Sequence, residues 1–258
     1  MSENTLTVKD LCKTYIVNKR QNNVLRNIQF QMVSGEFVTV MGPSGSGKST
    51  LLYTVSGMDR MTSGEVIFAG QSIAGLSDNQ MSDLRLKEMG FVFQQMHMLR
   101  NLSVYDNIIL AAYNSENGRT PAQRKQINEN AKDLMRRFEI IDIADNDITE
   151  VSGGQLQRAC ICRALINHPK MLFADEPTGS LNSKAADEVM ETLHLLNCDG
   201  VTILLVTHDV KVAARTERVL YIVDGNIRGE LPLGKYAGPH ETRDREKKLS
   251  AWLMDMGW

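Results

Sequence analysis

The stretch MGPSGSGKST, Met41 to Thr50, follows the apolar run EFVTV of Glu36 to Val40 and precedes the helical pattern KSTLLYTVSG. A glycine-rich segment offers a core little to pack and costs backbone entropy. Its reading must come from what its backbone can hold. Gly42, Pro43, Ser44, Gly45, Ser46, Gly47, Lys48 and Ser49 match the pattern G-x4-G-K-[ST], with Thr50 beside them. Glycines let successive N–H groups turn inward around phosphate oxygens. Lys48 adds a point charge for the outer phosphates, and the Ser49 hydroxyl is suited to Mg²⁺. The helix that follows aims its positive end at the same anion. Strand, loop and helix in that order predict a nucleoside triphosphate site.

Two further elements fit that site. The run KMLF ends in Asp175-Glu176. An apolar strand ending in Asp sets a carboxylate at the C-terminal edge of a parallel sheet, where ligands bind. Asp175 is expected to hold Mg²⁺, directly or through water, and Glu176 to orient or deprotonate an attacking water. The third element is VSGGQLQRA, Val151 to Ala159. Ser152, Gly153 and Gly154 open a helix with Gln155 in its first turn, a second phosphate-binding helix end. Two such loops either converge on one nucleotide or serve nucleotides held by different copies. The residues alone leave both open.

The rest of the chain frames these motifs. LTVKDL and NIQFQM alternate as half-buried strands do, and Ser34–Glu36 is a turn. The first helix is expected to stop at Gly57. GEVIFAGQSI reads as a hairpin turning at Gly70, and VLYIVDGNI as one turning at Asp224-Gly225. KMLFADEP and GVTILLVTHD are runs typical of strands buried on both faces. TPAQRKQINENAKDLMRRFEI is a polar helix capped by Thr120 with Pro121 in its first turn. The expected fold is α/β: a mainly parallel sheet with an N-terminal antiparallel β subdomain and an inserted helical lobe at about residues 95–165. Residues 1–235 form the main domain. After the linker LGKYAGPH, residues 236–258 form an amphipathic helical tail, with Leu249, Trp252, Leu253 and Met256 on one face. Trp252 and Leu253 are expected to be buried.

Composition excludes several classes. With 258 residues, 42% apolar content and a net charge of −2, the chain has a core and no basic footprint for nucleic acid. No run approaches the roughly 18 apolar residues of a membrane span. The polar start MSENTLTVKD is not expected to be a secretory signal, and the protein is expected in the cytoplasm. Cys12, Cys160, Cys162 and Cys198 lack the spacing of a disulfide frame or zinc site and are expected to be reduced thiols.

Taken in order, GPSGSGKST, VSGGQ, MLFADEP and VTHD resemble the ATP-binding cassette (ABC) family over roughly residues 4 to 230. The resemblance implies a P-loop NTPase core and a head-to-tail homodimer, in which VSGGQ of one copy closes over ATP held by the other. It implies ATP and Mg²⁺ as ligands, and ATP hydrolysis that powers a separate transmembrane permease, holding the chain on the inner face of the cell membrane. It further implies that Tyr15 stacks on adenine, that Gln94 touches Mg²⁺ and the attacking water, and that His208 contacts the γ-phosphate. Gln95 is the neighbouring candidate; Gln94 is preferred because it directly follows the apolar run GFVF. Where the family has Leu-Asp, this chain has Leu181-Asn182, which keeps hydrogen bonding and loses a charge. Val151 replaces the usual leucine. Met96, Met98 and Leu99 are either core or permease contacts. ADEPTGSLNSK resembles cassettes of macrolide export, lipoprotein release and antimicrobial-peptide resistance. The tail REKKLSAWLMDMGW most resembles bacitracin-type resistance transporters. The resemblance therefore implies antimicrobial-peptide export or resistance; the alternatives are the ATPase of a macrolide-export or lipoprotein-release system and a cell-division cassette that transports nothing.

Overall fold

The protein is described here by a computed structural model covering residues 4–115 and 118–258. Two compact units share the chain: Met1–Met81 with Leu196–Trp258, and Ser82–Leu195.

The first unit holds two sheets. Strands β1 (Asn4–Val17) and β2 (Arg20–Val33) form a long antiparallel hairpin, and β4 (Ser63–Phe68) with β5 (Gln71–Ser72) extends it in the order β2-β1-β4-β5. The runs LTVKDL and NIQFQM lie inside β1 and β2. Each strand runs 14 residues, well beyond the alternating run, with register shifts that let one ribbon bend. The β4–β5 turn falls at Ala69-Gly70, both at positive φ, as a tight hairpin requires.

The second sheet of this unit is built around β3 (Phe37–Met41), every residue of which is buried. It pairs in parallel with β8 (Thr202–Val206) and β9 (Arg218–Val223), while β10 (Asn226–Pro232) closes antiparallel onto β9 through Asp224-Gly225. The solid apolar runs of β3 and β8 are what a parallel strand covered on both faces requires. Helix α1 (Lys48–Val55) leaves the loop after β3 and stops at Ser56, with Gly57 at φ +64°.

The second unit carries β6 (Met89–Phe93) and β7 (Met171–Asp175), paired in parallel, with α3 (Val104–Tyr113), α4 (Pro121–Arg137) and α5 (Gly153–Leu165). Thr120 caps α4, as its sequence predicts, and does so through a reciprocal box with Gln123. Helices α2 (Asp78–Glu88) and α6 (Ser183–Cys198) span the unit boundaries. Cys160 and Cys162 lie buried in α5, and none of the four cysteines forms a disulfide among the described residues. Burial pushes the Cys160 thiol up to about 11 and Cys162 higher still, so neither forms thiolate near neutrality.

The tail is helix α8 (Pro239–Asp255), packed on the first unit beside the short helix α7 (Val210–Ala213). Leu249 and Leu253 are buried against Met41, Ala213, Val219 and Tyr221. Trp252, expected to be buried, is half-buried: its ring meets Tyr221 edge-on at 6.1 Å. The preceding linker is tightly held. Tyr236 is buried, and the Arg245 guanidinium donates to the carbonyls of Ala214 (2.7 Å), Thr216 (2.6 Å), Gly234 (2.9 Å), Lys235 (3.2 Å) and Leu233 (3.3 Å). Burial lowers the Arg245 pKa from its usual value, yet the cation stays satisfied by these acceptors. Among the described residues no helix is long and apolar enough to cross a membrane. Arg245→Ala, which orphans those carbonyls, is expected to lower unfolding free energy by about 2–4 kcal/mol in urea titration.

Candidate functional site

In the first unit the chain leaves buried β3 at Met41 and turns at once. A Cβ on Gly42 would stand 2.2 Å from the Ile222 carbonyl oxygen, so only glycine lets the loop pass β9 here. The turn at Asp224-Gly225 backs the loop, with the Gly225 N–H donating to the Ser46 carbonyl at 3.1 Å. Gly45 differs from Gly42: it takes φ +79°, and a Cβ there would meet nothing within 4 Å. Ser46 is buried, and its Oγ has no hydrogen-bond partner in the protein. Lys48 turns back into the loop and donates to the carbonyls of Gly42 (2.8 Å) and Pro43 (2.9 Å). A stranded hydroxyl, an inward ammonium and a helix N-terminus together form a receptor for an anion.

Two other expected residues belong to this unit. Val40 on β3 stands level with Val206 on β8 in parallel register, and the Thr207 N–H donates to the Val40 carbonyl. His208 therefore leaves the same sheet edge as the loop and is exposed there. Asp209 beside it caps α7 by accepting from the Lys211 N–H at 2.7 Å. Tyr15 is half-buried on β1, its hydroxyl held by Asp59.

The second unit gathers another set. The β6–β7 register pairs Phe93 with Asp175, so Gln94 and Glu176 follow side by side. A Cβ on Gly179 would lie 2.9 Å from Gln94 Nε2 and 3.2 Å from a Glu176 carboxylate oxygen. The amide and the carboxylate thus converge on one glycine. Asp175 is buried at the strand end, while Glu176 is half-buried with φ +46°, a left-handed conformation that costs a non-glycine residue energy.

Ser152 caps α5, accepting from the Gln155 N–H at 3.3 Å, while Gln155 Oε1 accepts from the Ser152 N–H at 3.0 Å. Gly154 is buried where a Cβ would meet the Ala185 methyl at 2.9 Å. A cavity of about 290 Å³ opens between Ser152–Gly154 and Ser180–Asn182. Asn182 caps α6 through its side chain, accepting from the Ala185 N–H at 2.9 Å. Arg158 on α5 pairs with Glu188 on α6 at 2.5 Å and holds the two helices together.

Sequence reasoning passed over two residues. Lys13 and Asp59 both meet Tyr15: Asp59 accepts from its hydroxyl, and Lys13 lies over its ring at 4.5 Å. The signal for Lys13 was its place two residues before Tyr15 on the same strand face. Asp59 carries no local signal, because 44 residues separate it from Tyr15.

The strand–loop–helix and parallel sheet define a P-loop nucleotide-binding protein of α/β class. A family profile described as ABC transporter matches residues 25–179, and the chain belongs to that family as an ATPase domain. Curated relatives include the macrolide export ATP-binding/permease proteins MacB of Bdellovibrio bacteriovorus (34% identical over 96% of this chain), Syntrophobacter fumaroxidans (38% over 92%) and Shigella flexneri (40% over 86%). The chain spans 37%, 34% and 34% of the length of those relatives. Among solved structures, the dimeric ABC transporter cassette MJ0796 matches with a TM-score of 0.81 at 35% identity, over 90% of this chain and all of that one. A post-hydrolysis dimer of the same cassette, bound to ADP and Pi, matches with a TM-score of 0.80 at 34% identity, with the same coverage.

Gly179→Ala would push Gln94 and Glu176 apart without straining the backbone. It is expected to cut the ATP hydrolysis rate about tenfold or more, with unfolding free energy within about 1 kcal/mol of wild type, measured by phosphate release and urea titration.

Proposed function

We propose that the chain hydrolyses ATP to drive a membrane permease of the macrolide-export type. The observation that carries the reading is the loop Gly42–Thr50, with Lys48 turned inward and the Ser46 hydroxyl buried without a partner. The macrolide-export name of its relatives supports the class of transporter.

In this mechanism the loop N–H groups, Ser44 and Ser46 bind the phosphates. Lys48 exchanges the Gly42 and Pro43 carbonyls for phosphate oxygens, and Tyr15 stacks on the base. Ser49, Asp175 and Gln94 would hold Mg²⁺; hydroxyl, carboxylate and amide oxygens are the hard donors that ion takes. When bound, it neutralises charge on the outer phosphates. Glu176 accepts a hydrogen bond from water and aligns it in line with the γ-phosphorus, with Gln94 beside it. His208 donates to the γ-phosphate. Each is a positioning or electrostatic task, which is most of what phosphoryl transfer asks of a protein.

Two copies face head to tail, and Ser152–Gln155 of each meets the γ-phosphate held by the other. The dimeric form of the MJ0796 cassette supports this arrangement. Loss of the γ-phosphate removes the link and the pair opens, a phosphate-biased two-state device. Residues 1–235 form the cassette, with the lobe at about 95–165 inserted and 236–258 as its tail. The chain would act at the inner face of the membrane. Permease contact is assigned to the segment after Gln94. There α5 pins the backbone, Arg163 donating to the carbonyls of Met96 (2.7 Å) and His97 (2.8 Å), and Leu99 stays 47% exposed.

The bacitracin-type reading rests on the resemblance of the tail and on Asn182. It stands second, because the relatives carry the macrolide-export name. Glu176→Gln is expected to abolish hydrolysis by about a hundredfold or more and to leave an ATP-dependent dimer in light scattering. The same variant, used to capture membrane partners, separates the classes. A permease similar to the permease part of the MacB relatives supports macrolide export. A long permease with a large extracellular domain supports peptide resistance, and a short division-type partner removes the transport reading. Rapid hydrolysis by Glu176→Gln would overturn the assigned role of that carboxylate.

A further inference from the structure

The loop after β3 accounts for the phosphate end of a nucleotide. The other end is governed by three side chains. The Tyr15 hydroxyl donates to Asp59 Oδ2, and the other oxygen of the same carboxylate accepts from Lys13 Nζ at 2.6 Å. Lys13 also donates to the Arg60 carbonyl at 2.7 Å, and its ammonium lies 4.5 Å from the centre of the Tyr15 ring. Each member is held by the other two.

We propose that Lys13 and Asp59 are positioning residues for the nucleobase: they lock the Tyr15 ring in one orientation and leave one face of it for stacking. The inference rests on the reading of Tyr15 as the stacking residue. Lys13 is buried, so its charge must be matched where it sits. It closes one ring face by a cation–π contact. A half-exposed tyrosine without such ties would have to be ordered by each arriving ligand, which weakens binding. Burial alone would raise the Asp59 carboxyl, but its hydrogen bonds from Lys13 and Tyr15 outweigh that and hold it below the usual carboxylate range. The carboxylate therefore stays charged around neutral pH, and the lock stays closed.

The lock is also tied to the phosphate loop. Helix α1 starts at Lys48, and the turn after its end carries Asp59, whose N–H donates to the Tyr53 carbonyl at 3.0 Å. One eight-residue helix thus has the phosphate site at its first residue and the base lock just past its last. A purine base and its phosphates are gauged against the same rigid element.

The test uses ADP and inorganic tripolyphosphate as probes, titrated calorimetrically into the full chain. Asp59→Asn, Lys13→Met and the milder Tyr15→Phe, which removes only the hydroxyl tie, are each expected to raise the ADP Kd about three- to tenfold. For Asp59→Asn and Lys13→Met, tripolyphosphate affinity and kcat at saturating ATP should stay within about twofold, because binding shared by ground and transition states changes KM alone. In a Tyr15→Ala background, Asp59→Asn should add nothing further. If Tyr15→Ala weakens ADP binding while all three lock variants leave it unchanged, the lock is overturned and stacking stands. If Tyr15→Ala itself leaves ADP binding unchanged, the stacking reading falls and the lock with it. Equal weakening of tripolyphosphate would trace the effect to the phosphate loop and overturn the proposal.

Discussion

A triphosphate can be held only where several N–H donors reach its oxygens without side chains intervening, and that demand shapes the loop at Gly42. The chain must leave a fully buried strand and turn so close to a neighbouring strand's carbonyl that a Cβ at Gly42 would stand 2.2 Å from it. Everything nearby serves that passage. β9 supplies the wall, the turn at Asp224-Gly225 supplies the backing, and β8 brings His208 to the same edge. The parallel arrangement is a consequence, because it sends the C-terminal ends of β3 and β8 to one side.

The second unit solves a related problem by different means. Its loop after β7 must present a carboxylate close to an amide without letting either collapse into the core. Strand register does the first part, through the Phe93–Asp175 pair. The left-handed turn at Glu176 and the missing side chain at Gly179 do the second. The same unit caps α5 and α6 with Ser152 and Asn182, and ties them by Arg158–Glu188. Asn182 in place of the family's aspartate keeps the cap. What it gives up is a negative charge at the helix's positive end, an effect of about 0.3–1 kcal/mol at an exposed site.

Features legible in the sequence are those whose cause is local. Gly70, Thr120 with Gln123, Ser152 with Gln155 and the Asp224-Gly225 turn each follow from a few consecutive residues. The solid apolar runs of β3, β7 and β8 announced strands covered on both faces. What stayed hidden depends on distant residues meeting. Nothing near Asp59 marks it as a partner of Tyr15, and nothing near Arg245 shows that its guanidinium will meet carbonyls from Ala214 and Thr216. Trp252 lay on the predicted apolar face, yet how deeply that face sinks depends on the shape of the surface beneath it. Tyr221 and Gly229 set that depth.

The reciprocal cap at Ser152 and Gln155 has a bearing on reversibility. Each alone, the two groups would be unsatisfied donors and acceptors seeking a phosphate. Here the Ser152 N–H and hydroxyl already point at Gln155 Oε1, and the Gln155 N–H at Ser152 Oγ. In the proposed head-to-tail pair, contact with a phosphate would trade existing hydrogen bonds for new ones, and only the difference would remain as net attraction. A grip built from such exchanges would be shallow, made at each encounter and let go at each turnover.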